Sequence, residues 1–116
     1  MENNFTKTFT LEIKKSKFIA YSFDIESKEQ VGPIIESLKQ QNPKARHVCY
    51  AFKVSNTAGM SDDGEPSGTA GKPIFKLLEM KDVKNTLVVV VRYFGGKKLG
   101  AGGLIRAYVG SAKEVI

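Results

Sequence analysis

The sequence predicts an α+β fold: a two-layer sandwich in which helices pack on a mostly antiparallel or mixed sheet. Three observations lead there. Two successive segments near the N-terminus alternate apolar and polar residues with a period of two. Later segments repeat apolar residues at helical spacing. One run, Leu87 to Val91, is apolar and mostly β-branched with no alternation at all. The resulting element order is β-β-α-β-α-β-α.

Phe5 to Lys14 sets Phe5, Phe9, Leu11 and Ile13 against Thr6, Thr8, Thr10 and Glu12, the pattern of a strand with one buried face. After Lys15 and Ser16, FIAYSFDI alternates again, so a hairpin joins strands one and two. Ser27 and Gln30 make a capping-box pattern ahead of Val31, Ile34, Ile35 and Leu38, which form the apolar stripe of helix one. Pro33 lies a turn inside this helix and must either remove a backbone bond or shift the helix start. Asn42-Pro43 ends it. His47 to Val54 is strand three, with Val48, Tyr50, Phe52 and Val54 on one face and His47, Cys49, Ala51 and Lys53 on the other. Ser55 to Pro73 has no apolar periodicity and is expected to be a long loop into helix two, whose short face is Ile74, Leu77 and Leu78. Pro73 fits a first helical turn. Leu87 to Val91 is strand four, a central strand covered on both faces. Leu104, Ile105, Tyr108, Ala112, Val115 and Ile116 give helix three.

A chain of 116 residues with 41% hydrophobic and 26% charged residues has the size and make-up of one soluble domain, 1–116. No apolar stretch approaches the roughly 20 residues of a membrane span. The N-terminus lacks the pattern of a secretory signal, so the expected location is the cytoplasm. One cysteine, Cys49, and one histidine, His47, cannot form an internal disulfide or a four-ligand zinc site. No cofactor is implied.

Charge is unevenly placed. Residues 1–45 carry seven cations and six acids, residues 46–84 six and five, and residues 85–116 five and one, so four of the six excess positive charges fall in the last quarter. That quarter opens on RYFGGKKLGAGGLIRAY, Arg92 to Tyr108, with five glycines, four cations and no acid. Neither nucleotide motif is present. A dinucleotide fingerprint needs glycine where Ile105 stands, and a Walker loop around Gly71-Lys72 needs glycine at Pro66 and Ser or Thr at Pro73. A glycine-rich turn from strand to helix nevertheless presents free N–H groups and the positive end of a helix dipole. The candidate anion or nucleic-acid site is therefore Arg92, Gly95, Gly96, Lys97, Lys98, Gly100, Gly102, Gly103 and Arg106. Tight packing of helix on sheet is the competing explanation of the same glycines.

Asp62, Asp63 and Glu65 are expected to be a solvated turn or a cap for helix two rather than a metal site. His47 and Cys49 share a face and could pair as base and nucleophile, but a cysteine in a strand more often packs. No catalytic constellation emerges. Tyr93, Phe94 and Tyr108 interleave with Arg92, Lys97, Lys98 and Arg106, a mixture suited to stacking bases while neutralising phosphates.

DDGEPSGTAGKPI (Asp62 to Ile74) and VVRYFGGKKLGAGGLIRAY (Val90 to Tyr108), preceded by KSKFIAY and ARHVCYAF, resemble the Impact/YigZ family from about Lys15 onward. The resemblance implies the fold of the second domain of small-subunit ribosomal protein five. It also implies a role in regulation of translation, as in the eukaryotic members, which act by binding a partner protein; nucleic-acid binding has been suggested for bacterial members. No catalytic residues come with it. Bacterial members usually carry a second, ferredoxin-like domain, which is absent here, so a single Impact-type N-terminal domain is expected. The implied partners are RNA or a ribosome-associated factor, or another phosphate-bearing ligand. An enzyme acting on a phosphorylated small molecule and a pure protein-interaction domain are the alternatives.

Overall fold

The computed structural model describes residues 4–116. Five strands form one antiparallel sheet: β1 (Lys7–Ile13), β2 (Ser16–Asp24), β3 (His47–Val54), β4 (Thr57–Ser61) and β5 (Thr86–Tyr93), in the spatial order β1-β2-β5-β3-β4. Three helices accompany them: α1 (Val31–Gln41), α2 (Gly71–Met80) and α3 (Gly100–Ala112). The α+β class and the predicted elements are present, with one addition. The segment expected as loop after strand three turns at Ser55, whose φ is +52°, and returns as β4 against β3. β4 is a five-residue edge strand, TAGMS, with no buried residue, so it carries no hydrophobic alternation by which to be seen.

β5 is buried along its whole length except for Tyr93. It sits between β2 and β3, antiparallel to both. Successive side chains leave a strand on opposite faces, and each face has its own cover. Val88 and Val90 pack with Phe18, Ala20, Cys49, Ile74, Leu78, Leu104 and Tyr108, under α2 and α3. Leu87, Val89 and Val91 pack with Phe23, Ile35, Leu38, Val48 and Phe52, under α1. Helices thus lie on both sides of the sheet rather than in one layer, as the unalternating run of β5 requires.

Local chemistry places the helix ends. A single 3-10 turn, Lys28–Gln30, precedes α1. Gln30 Oε1 accepts the Ser27 N–H at 3.1 Å. Pro33 therefore falls in the first turn of α1, where an N–H would have no intrahelical partner. Asn42 Nδ2 donates to the Leu38 carbonyl at 2.9 Å and closes the helix. At α2, Asp62 is the cap: its carboxylate accepts from the N–H groups of Gly71 at 2.8 Å, Gly68 at 2.9 Å and Ala70 at 3.1 Å. Burial pushes the Asp62 carboxyl up, but these three bonds together outweigh it and hold it below the usual range.

Candidate functional site

The start of β3 and the end of β5 meet at the pair His47 and Arg92, both on the face covered by α2 and α3. An arginine at that register is carried under the helices; Arg92 is 5% exposed and needs a counter-charge. Glu65 supplies it from the loop after β4. Arg92 Nη1 donates to both Glu65 oxygens, at 2.8 and 2.7 Å. Tyr108 of α3 donates its hydroxyl to the same carboxylate. His47 Nε2 lies 3.5 Å from Glu65 Oε1, and its Nδ1 lies 2.7 Å from the Asp63 carbonyl. Cys49 Sγ is 3.3 Å from the Tyr108 hydroxyl and 3.2 Å from the Asp62 carbonyl. Phe18 meets Tyr108 edge to face, with centroids 5.2 Å apart. Glu65 is thus the hub of a buried network tying β3, β5, α3 and the acidic loop together.

That network corrects the expectation of a solvated acidic turn. Glu65 is 7% exposed and paired, Asp62 caps α2, and Asp63 accepts the Val48 N–H at 2.7 Å. Among the described residues no group of three or more His, Cys, Asp or Glu could hold a metal. Since these oxygens already have partners, millimolar magnesium or calcium should leave the melting temperature unchanged; a clear rise in a thermal scan would contradict this account. The cysteine packs. Burial, more than any neighbour, pushes the Cys49 thiol up to about 12, far from the reactive thiolate range. Burial likewise pushes up the Tyr108 phenol, followed by the effects of Cys49 and Glu65.

A cleft of about 390 Å³ opens over this network, between the β3–β5 ends and the start of α3. Arg46 reaches its rim because its N–H continues the ladder to the Arg92 carbonyl at 2.8 Å. The Arg46 guanidinium lies over the Phe94 ring, 4.9 Å from the centroid. Arg46, Arg92 and Lys98 face it against one acid, Glu65, already engaged by Arg92. The first turn of α3 completes the wall. Leu99, at the N-cap position of α3, provides no side-chain cap, and the first turn contains no acid.

The residues singled out in the glycine-rich segment separate into three groups. Arg92, Lys98 and Gly100 line the cleft. Gly95 and Gly103 are in close contact with protein: a Cβ on Gly95 would lie 2.1 Å from the Lys15 carbonyl carbon, and one on Gly103 3.0 Å from Leu99 Cβ. Gly96 and Lys97 are exposed and outside the cleft wall, and Arg106 is exposed on α3 with its guanidinium folded back toward Gly102. Arg46, His47 and Glu65 are the members that reasoning on the segment alone did not gather, whereas Phe94 is one of the aromatics the segment singled out. The alternation of strand three and the odd-even register of strand four hold the signal for His47 and Arg92. Nothing in the local pattern announces Glu65.

Each block that resembled a known family thus contributes to one place. Residues 14–116 match the family model of the Impact N-terminal domain. The chain belongs to the Impact family. It is 44% identical over 105 residues to the Impact family member YvyE of Bacillus subtilis, covering 88% of this chain and 48% of that one. It is 42% identical over 114 residues to the Impact family member YigZ of Escherichia coli, covering 94% and 56%. The chain spans about half the length of these relatives. A crystal structure described as that of a hypothetical protein superposes with a TM-score of 0.89 at 42% identity, covering 93% of this chain and 55% of the other. The two-domain translational regulator Yih1 superposes with a TM-score of 0.55 at 28% identity, covering 96% and 44%. No helix among the described residues is long and apolar enough to cross a membrane.

Proposed function

We propose that this chain is a translation-associated binding module that contacts RNA, or another phosphate-bearing partner, where its basic glycine-rich segment meets the cleft. The family tie, which includes a protein described as a translational regulator, supports the setting, and with it a cytoplasmic location. The observation that carries the contact is the start of α3. Its N-cap residue, Leu99, provides no side-chain cap, and its first residues, Gly100 and Ala101, line the cleft beside Lys98 and Arg46, so dipole and charge favour an anion in the same place. α2 differs, because Asp62 already occupies its first N–H groups.

Affinity for single-stranded RNA should fall steeply as salt rises, because neutralised phosphates release counterions. Lys98→Ala should reduce the slope of log affinity against log salt by about 1. Lys97→Ala, outside the cleft wall, should reduce it less. Fluorescence anisotropy across a salt series measures both; equal slopes for the native protein and Lys98→Ala would remove the cleft from the contact. Sequence preference among RNAs should be weak, since phosphate contacts carry no base information.

A further inference from the structure

The cleft offers more than charge. One wall is apolar, formed by Pro66, Leu99 and Leu104, and the rim carries Phe94, 39% exposed, with the Arg46 guanidinium lying over its ring. Arg46 itself is exposed. The Arg92 guanidinium also lies over the Phe94 ring, 5.7 Å from its centroid, and guanidinium and aromatic groups both stack nucleobases, so the exposed Arg46 offers a surface for a flat heterocycle. Beside it, Lys98 and the start of α3 attract a phosphate, as argued above. Arg92 in the same wall keeps Nε with no hydrogen-bond partner, although the residue is 5% exposed. Such a buried donor is ordinarily satisfied. About 390 Å³ lies toward the small end of the roughly 300–1,000 Å³ typical of small-molecule sites. That space suits one nucleotide, not a run of stacked ones.

We infer that the cleft is a single-nucleotide site, taking the phosphate of a nucleotide at Lys98 and the α3 start and stacking its base on the Arg46–Phe94 pair. The inference rests on the phosphate reading of the same cleft and adds the base to it. The nucleotide is either free or the terminal one of an RNA chain.

Titration calorimetry with inorganic phosphate, uridine 5′-monophosphate, and a short oligouridylate with and without a 5′-phosphate tests it. Stacking of one base should make the monophosphate bind roughly tenfold more tightly than phosphate. Phe94→Ala should abolish that advantage and leave phosphate binding intact, while Phe94→Tyr should retain it. Arg46→Lys keeps the charge but loses the plane, so it should lower nucleotide affinity more than phosphate affinity. Phe94 is a surface residue, and melting curves of its variants confirm that they fold. A 5′-phosphorylated oligonucleotide that binds as well as the monophosphate, and better than its unphosphorylated form, identifies a chain end; preference for the free monophosphate identifies a free nucleotide. Equal affinities for phosphate and monophosphate in the native protein, or an unchanged ratio in Phe94→Ala, overturn the base contact alone. Absence of binding by phosphate and by every nucleotide overturns the phosphate reading together with it.

Discussion

Replacing Glu65 with Ala should destabilise the fold by about 3–5 kcal/mol, because it leaves the buried Arg92 guanidinium without its counter-charge. For a chain of this length that is a fall in melting temperature on the order of 10–20 °C. The Tyr108 hydroxyl loses its acceptor in the same substitution, and His47 loses the carboxylate beside its Nε2. The cost arises from the orphaned partners, so removing both charges should hurt less than removing one. The double variant Glu65→Leu, Arg92→Met should therefore recover much of the loss. Chemical denaturation of the two variants measures the difference. A loss below about 1 kcal/mol for Glu65→Ala, the size expected of an exposed pair, would contradict the account of a buried hub.

Gly95→Ala should be the second strong perturbation. Gly95 lies two residues past the end of β5, against the turn between β1 and β2, where Lys14 and Lys15 both have positive φ, +49° and +67°. A Cβ there would stand 2.1 Å from the Lys15 carbonyl carbon and 2.4 Å from the Ser16 nitrogen, both backbone atoms. The Gly95 N–H also donates to Ser16 Oγ at 3.1 Å, a bond that any displacement would stretch. Overpacking of this kind costs about 1–3 kcal/mol or more. Gly102→Ala is the matched control in the same segment. Its Cβ would meet only the end of the Arg106 side chain, at 3.3 Å, on an exposed helical position. Helix propensity then favours alanine by about 0.5–1 kcal/mol. Denaturation midpoints should move in opposite directions for the two variants. If they move together, the glycines of this segment are not divided between packing and exposure as described.

The strands with one or two buried faces were readable because burial writes a period into the sequence. β1, β2 and β3 each carry an apolar alternation, and the absence of alternation in Leu87 to Val91 foretold cover on both sides; the face expected to be buried on β1 is only partly covered, with Leu11 and Ile13 half-buried and Phe5 and Phe9 exposed. β4 escaped because its five residues, TAGMS, carry no alternation of large apolar residues. Pro33 posed a question that local pattern could not answer; the 3-10 turn before α1 moves the helix start so that the ring falls where it does no harm. The site was legible in part. A basic segment ahead of a helix shows in composition alone, whereas the Arg92–Glu65 pair joins residues 27 apart in the chain and depends on where the loop after β4 crosses the sheet. Arg46 and Phe94 come together for the same reason: the β3–β5 ladder extends one residue past His47.

The central claim, that the start of α3 and Lys98 receive a phosphate, is tested most directly by following backbone amide resonances during a titration with inorganic phosphate at constant ionic strength. Saturable shifts at Gly100, Ala101 and Gly102, weakened in Lys98→Ala and not reproduced by chloride, are the predicted result. Shifts scattered over the lysine-bearing surface, or the same response to chloride, would contradict it.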